Sequence, residues 1–111
     1  MARLNYVELP TSDIAAARRF YEQAFGWTIA EFGPSYAATT SGDTDIGLQA
    51  DAAEATRAPL PVIDVSDLEA ALDAILAAGG TIVRPIFAFP GGRRFHFVDP
   101  SGNELAAVKL D

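Results

Sequence analysis

The chain has 111 residues, half of them hydrophobic and 10% aromatic, which is enough apolar material for one small domain and too little for several. Fifteen acidic residues against eight basic ones leave a net charge of -7, which disfavours nucleic acid and an anionic membrane as partners. The lack of cysteine removes disulfides, thiol nucleophiles, iron–sulfur clusters and cysteine-type zinc sites. With no long apolar run in Met1–Pro10 or later, the expectation is a cytoplasmic protein.

Leu4 to Leu9 alternates with period two and reads as a strand. Pro10-Thr11-Ser12-Asp13 offers a turn and a helix N-cap. Ile14, Ala17, Phe20, Tyr21, Ala24 and Phe25 then recur at helical steps until Gly26 ends the helix. Trp27–Phe32, Tyr36–Thr40 and Asp45–Ala50 are short β-prone runs, separated by Gly33-Pro34 and by Ser41-Gly42-Asp43. Asp51 to Pro59 has the composition of a linker, after which the pattern restarts. Leu60–Val65 is a strand, Ser66-Asp67 caps a helix through Leu68, Ala71, Leu72, Ile75 and Leu76, and Gly79-Gly80 ends it. Thr81–Phe89 forms a strand whose Pro85 suggests an edge or a bulge. Pro90-Gly91-Gly92 turns the chain into Arg93–Val98, and Asp99-Pro100-Ser101-Gly102 turns it again into Asn103–Leu110.

The order βαβββ thus occurs twice. Shifting the second half back by 54 positions aligns Ser66 with Ser12, Asp67 with Asp13, Ala70 with Ala16, Ala71 with Ala17 and Gly80 with Gly26. A duplicated module within one domain, residues 1–111 with modules of about 1–50 and 60–111, is the organisation expected.

The last turn decides which side chains share a face. Pro100 and Ser101 suit the centre of a type I turn, with Gly102 left-handed in a G1 bulge, so that Asp99 pairs with Asn103. Val98 then pairs with Glu104, His96 with Ala106 and Arg94 with Val108 on one face, while Phe97–Leu105 and Phe95–Ala107 lie on the other. The aromatic face is the one expected beneath a helix. Arg94, His96 and Glu104 then line a cavity or a solvated edge.

Asn5-Tyr6-Val7-Glu8-Leu9, Ser12-Asp13-Ile14, Phe20-Tyr21 through Phe25-Gly26-Trp27, Val65-Ser66-Asp67-Leu68 and Phe97-Val98-Asp99-Pro100-Ser101-Gly102-Asn103 stand in an order and spacing that is familiar. Together they resemble the vicinal oxygen chelate superfamily, which includes glyoxalase I, bleomycin-resistance proteins, fosfomycin-resistance enzymes and extradiol dioxygenases. The resemblance covers nearly the whole chain. It implies an α+β fold in which two βαβββ modules form curved mixed sheets around a shared cavity, often closed by a second subunit. A small-molecule ligand and a homodimer are therefore expected.

The resemblance also implies where a divalent metal would be held in the family's enzymes, on His, Glu or Gln from the first and last strands of each module. In this chain the first-strand places fall on Tyr6 and Leu60, and the last-strand place of the second module on Ala106. Its counterpart in the first module lies near Gly47 to Gln49, where Gln49 alone could coordinate. Glu8 and Glu104 stand two residues from ligand places. Such a set leads us to expect no metal and no other cofactor.

By the same resemblance, His96, three residues before Asp99-Pro100, faces the cavity. The hairpin register reaches the same face independently. A histidine there can act as general acid or base, or simply bond a neighbour. Arg94 can hold a carboxylate or phosphate, or pair with Glu104 or Glu8. Tyr6 can donate a hydrogen bond to a ligand or fill the cavity, and Tyr36 can reach its mouth. Trp27, Phe20, Tyr21 and Phe25 are assigned to the core. Three readings stay open: metal-independent small-molecule binding that uses Arg94, Tyr6, Glu8, Gln49 and Glu104; a lyase or isomerase with His96 as acid/base and Arg94 orienting an anionic substrate, or a metal-dependent lyase or dioxygenase with atypical ligands; and an accessory module with a filled cavity.

Overall fold

The computed structural model describes residues 2–40 and 42–111; Ser41, in the turn predicted at Ser41-Gly42-Asp43, lies outside them. Among the described residues the chain forms, in order, β1 (Arg3–Pro10), α1 (Ile14–Phe25), β2 (Ala30–Glu31), β3 (Tyr36–Ala38), β4 (Asp45–Gln49), β5 (Leu60–Asp64), α2 (Leu68–Ala77), β6 (Thr81–Phe89), β7 (Gly92–Val98) and β8 (Glu104–Leu110), an α+β fold. It divides into two compact units, one of Tyr6–Leu60 and one of Pro61–Asp111 together with the residues up to Asn5.

Within the first unit the strands lie in the order β2-β3-β4-β1. β1 runs parallel to β4, with Tyr6 opposite Asp45 and Glu8 opposite Gly47, while β3 and β4 pair antiparallel with Tyr36 opposite Gln49. Within the second unit the order is β5-β8-β7-β6, and again the first strand is parallel to the last, Val62 standing opposite Ala106. The β7–β8 ladder has the register expected from its turn, from Val98–Glu104 through His96–Ala106 to Arg94–Val108. Asp99 donates its N–H to the carbonyl of Asn103 at 3.0 Å, and Gly102 takes a φ of 89°, the left-handed conformation that a side chain disfavours.

Both helices start in the same way. The carboxylates of Asp13 and Asp67 accept the N–H of Ala16 and of Ala70, each at 3.0 Å, satisfying one of the free donors of the first turn. Gly26 closes α1 at φ 71° and donates its N–H to the Glu22 carbonyl.

Alternation along the strands gives each unit an apolar face for its helix. In the second unit Leu68, Phe95, Phe97 and Ala107 are buried there, with Leu72, Ile75, Ile82 and Leu105 packed around them. In the first unit Ile29, Ala37 and Leu48 form the centre, contacted from α1 by Ile14, Ala17 and Tyr21.

Two expectations are corrected. The run Trp27–Phe32 is strand only at Ala30–Glu31, because the partner β3 offers only three residues and Gly33-Pro34 follows. Phe20, Phe25 and Trp27 do not join the core; they are 60%, 61% and 40% exposed. α1 reaches the sheet through a narrow stripe, and Phe25 and Trp27 stack on one another at 5.1 Å, with Tyr21 against Trp27 at 5.7 Å.

Candidate functional site

In each unit the strand face away from the helix gathers predicted site residues, in two clusters of different chemistry. In the first unit Tyr6, Glu8, Gly47, Gln49 and Tyr36 share that face by register. Tyr36 donates its hydroxyl hydrogen to Glu8 Oε2 at 3.2 Å, and the Tyr6 and Tyr36 hydroxyls meet at 2.5 Å. Glu8 is 3% exposed. Burial first, and then the neighbouring Glu8 charge, push the Tyr36 hydroxyl far above the ordinary phenol range, so that it stays protonated. Gln49 lies on this face, but its side-chain carbonyl accepts the Asp51 N–H at 3.0 Å and serves the strand end.

Gly47 is required by this arrangement. A Cβ there would stand 2.0 Å from the Tyr6 hydroxyl oxygen and 2.1 Å from that of Tyr36, with the Tyr36 ring carbon at 2.8 Å. No side chain fits while both tyrosines remain.

The register also identifies the metal place that the sequence left between Gly47 and Gln49. Ala106 stands opposite Val62, and Gly47 stands opposite Glu8, the residue that the 54-position shift aligns with Val62. Gly47 is therefore the counterpart of Ala106. Tyr6, Gly47, Leu60 and Ala106 then offer two apolar side chains, no side chain at all, and a phenol already bonded to Tyr36. This donor set does not fit a divalent ion, which needs several converging oxygen or imidazole ligands. Among the described residues no three His, Asp or Glu side chains come together to hold one elsewhere.

In the second unit β7 and β8 bring His96 and Glu104 together, with His96 Nδ1 2.8 Å from Glu104 Oε2. His96 is 2% exposed, so this face is not a solvated edge at its centre. A carboxylate only accepts, so Nδ1 carries the hydrogen and donates it. Burial lowers the pKa of the imidazole, the Glu104 hydrogen bond opposes this, and the charges of Arg94 and Arg84 lower it further. The ring is accordingly neutral. Its other nitrogen, Nε2, is buried and has no hydrogen-bond partner among the described residues.

Two residues that the sequence reading did not single out complete this cluster. Arg84 stands opposite His96 and Phe87 opposite Arg94 in the β6–β7 ladder, which shifts register between Ile82 and Arg84 and again between Arg84 and Phe87. The Arg84 guanidinium lies 3.6 Å above the centre of the Phe87 ring, Arg94 lies 5.4 Å from the same ring, and the Phe87 and His96 rings are 6.0 Å apart. Stacking on an aromatic ring holds a guanidinium in place while leaving its N–H edge available for hydrogen bonding. Pro85 had hinted at a bulge in β6, but only the register of the ladder shows what it brings beside His96. An open depression lined by Asp64, Val65, Ser66, Lys109 and Leu110 holds none of these residues.

The chain is similar to longer proteins and to solved structures, some near its own size and some longer. In Mycobacterium tuberculosis (strain CDC 1551 / Oshkosh) the protein named "Putative glyoxylase CFP32" is 32% identical over 117 residues, which takes in 96% of this chain and 44% of the relative. The chain thus spans less than half the length of the curated relatives it matches. Methylmalonyl-CoA epimerase from Mycobacterium tuberculosis superposes with a TM-score of 0.79 at 17% identity, covering 98% of this chain and 88% of the other. The Mn(II)-bound glyoxalase from Novosphingobium aromaticivorans gives a TM-score of 0.72 at 19% identity, covering 98% of this chain and 40% of the other. These structural likenesses are ones of fold. Residues 3–107 match the family as a sequence, and the chain belongs to the Glyoxalase/Bleomycin resistance protein/Dioxygenase superfamily, the vicinal oxygen chelate superfamily.

Proposed function

We propose that the chain binds a small anionic molecule on the β6–β7–β8 face, with no divalent metal at the family's ligand places. The observation that carries this reading is the pair of guanidiniums, Arg84 and Arg94, held around one aromatic ring beside the buried imidazole of His96. In a chain of net charge -7 this is a local concentration of positive charge. Each guanidinium has five N–H donors, so one held by other partners still has donors for a planar anion. Glu104 orients His96 through the 2.8 Å contact with Nδ1.

The test is thermal unfolding of EDTA-treated protein with acetate, succinate and inorganic phosphate at constant ionic strength. A ligand at a hundredfold excess over its dissociation constant stabilises by about 2.7 kcal/mol. Stabilisation by an anion without added metal, lost in Arg94→Gln, is the expected result. Stabilisation that appears only after manganese, nickel or zinc is added would refute the metal-free reading.

A second reading is favoured by the hydrogen bond between His96 and Glu104. A neutral imidazole oriented by a carboxylate is the arrangement of a general base, and with Arg94 orienting an anionic substrate the chain would be a lyase or isomerase. His96→Asn would then abolish turnover and spare binding. We further propose a cytoplasmic homodimer, which equilibrium sedimentation checks for its second part.

A further inference from the structure

Two guanidiniums identify an anion, but the imidazole beside them asks for something an anion lacks. Glu104 has no hydrogen to give when ionised, so the 2.8 Å contact fixes the proton of the neutral ring on Nδ1 and leaves a lone pair on Nε2. That nitrogen is buried among apolar and cationic neighbours with no partner among the described residues. A buried acceptor left in this state is costly, and a ligand that supplies a hydrogen removes the cost. A bare carboxylate oxygen would set lone pair against lone pair. The ligand must therefore carry both a negative group for the guanidiniums and a hydrogen-bond donor for His96.

The spacing limits how far apart these two groups are. Arg94 and His96 are alternate residues on one face of β7, about 7 Å apart at the backbone. Arg84 faces His96 directly from β6, on strands about 5 Å apart. Both guanidiniums and the imidazole thus belong to one patch around the Phe87 ring, small enough for the anionic group and the donor to be carried by one small molecule. The charge of the donor follows from its neighbours. An ammonium would be held among two guanidiniums and repelled by both, whereas a hydroxyl is neutral. Resting on the anion-binding reading of this face, we propose that its ligand class is the small hydroxycarboxylates, the carboxylate on Arg84 and Arg94 and the hydroxyl donating to His96 Nε2.

The chain has a single histidine, so the experiment can read the tautomer and the ligand separately. Nitrogen-15 NMR of the free protein is expected to show Nδ1 protonated and Nε2 bare; the opposite tautomer or an imidazolium overturns the inference whatever binds. Glycolate, acetate and glycine, matched in size, are then titrated at constant ionic strength with EDTA present. Glycolate is expected to bind about five- to tenfold more tightly than acetate, the worth of one hydrogen bond to a buried acceptor, and glycine most weakly. In His96→Phe, glycolate and acetate should bind with equal affinity. Glu104→Ala, which releases the tautomer, should narrow the preference of glycolate over acetate and move the histidine nitrogen signals together. Equal binding of glycolate and acetate defeats the hydroxyl inference and leaves the anion reading standing. Binding of neither removes both.

Discussion

The unit Tyr6–Leu60 carries two phenols and a carboxylate on the face away from its helix, and the unit built on Pro61–Asp111 carries guanidiniums and an imidazole on the equivalent face. Each unit pairs its first strand parallel to its last, β1 to β4 and β5 to β8. They differ in how their hydrogen bonds are spent. In the first unit each phenol gives its hydrogen to a neighbour in the cluster, and Gly47 makes the room for it. In the second, the Glu104 contact uses one imidazole nitrogen and turns the other into an acceptor with nothing to accept. One plan has therefore produced a face whose phenol donors are spent on their neighbours and a face whose imidazole keeps an acceptor for a ligand's donor.

The cores differ in the same direction, and this sets the largest expected effect. Phe95 has no exposed surface and lies between α2 and the β7–β8 ladder, so Phe95→Ala should cost about 3–5 kcal/mol in urea unfolding. Phe25→Ala, in the helix of the other unit, should cost under about 1 kcal/mol, since that ring is mostly exposed. Equal costs would mean that the exposed aromatic stack is covered in solution.

Gly47→Ala breaks the tyrosine cluster directly, because the added methyl meets both tyrosines, and about 1–3 kcal/mol is expected for such overpacking. Replacing Tyr36 by Leu should remove only part of that cost, since the Tyr6 hydroxyl oxygen still stands 2.0 Å from the added methyl, and adding Tyr6→Phe should remove most of the rest. A cost unchanged by the two together would place the strain elsewhere.

Much of the second unit was legible because its determinants are local. Asp99-Pro100-Ser101-Gly102 specifies a turn, the turn specifies the β7–β8 register, and the register assigns Phe95 and Phe97 to the core and His96 to the other face. Arg84 and Phe87 were not legible, since two register shifts in β6 break the alternation that would have carried the inference from His96 to them. Tyr36 was beyond parity for another reason: its bond to Glu8 joins residues far apart in the chain, and three residues of β3 are too few to show a period. The exposed Phe20 and Phe25 mislead because helical spacing says which residues share a stripe, not how wide a stripe the sheet will cover.

The pH dependence separates the two faces further. The pKa of His96 is lower in the folded chain than the ~6.5 of an unfolded one, so folding favours its neutral form. Its contribution is fully present above about pH 6.5 and is lost as pH falls from there through the folded value. The difference in melting temperature between wild type and His96→Gln should therefore shrink, or change sign, on going from pH 7.5 to pH 5.5. The Tyr36 hydroxyl is pushed upward instead, so Tyr36→Phe should leave that acid-side difference as it is.

The helix caps provide the smallest contrast and test where the likeness of the modules ends. Asp13 and Asp67 make the same 3.0 Å bond at the same place, and each replacement by Ala should cost about 1 kcal/mol. Their surroundings are not identical. α2 has Glu69 in its first turn, whereas α1 has no acidic residue there, so α2 keeps a negative charge near the positive end of its dipole after Asp67 is lost. Glu69 is partly spoken for, its carboxylate held by the Arg93 guanidinium at 2.7 Å, which weakens its value to the helix. Asp13→Ala should thus be the more costly of the two by a few tenths of a kcal/mol at low salt. Added salt should close the gap by screening Glu69 from the dipole while leaving both cap hydrogen bonds intact. A gap that persists in high salt would show that the two caps differ in the packing behind them, and that the repeat seen in sequence does not extend to the energetics of its helix starts.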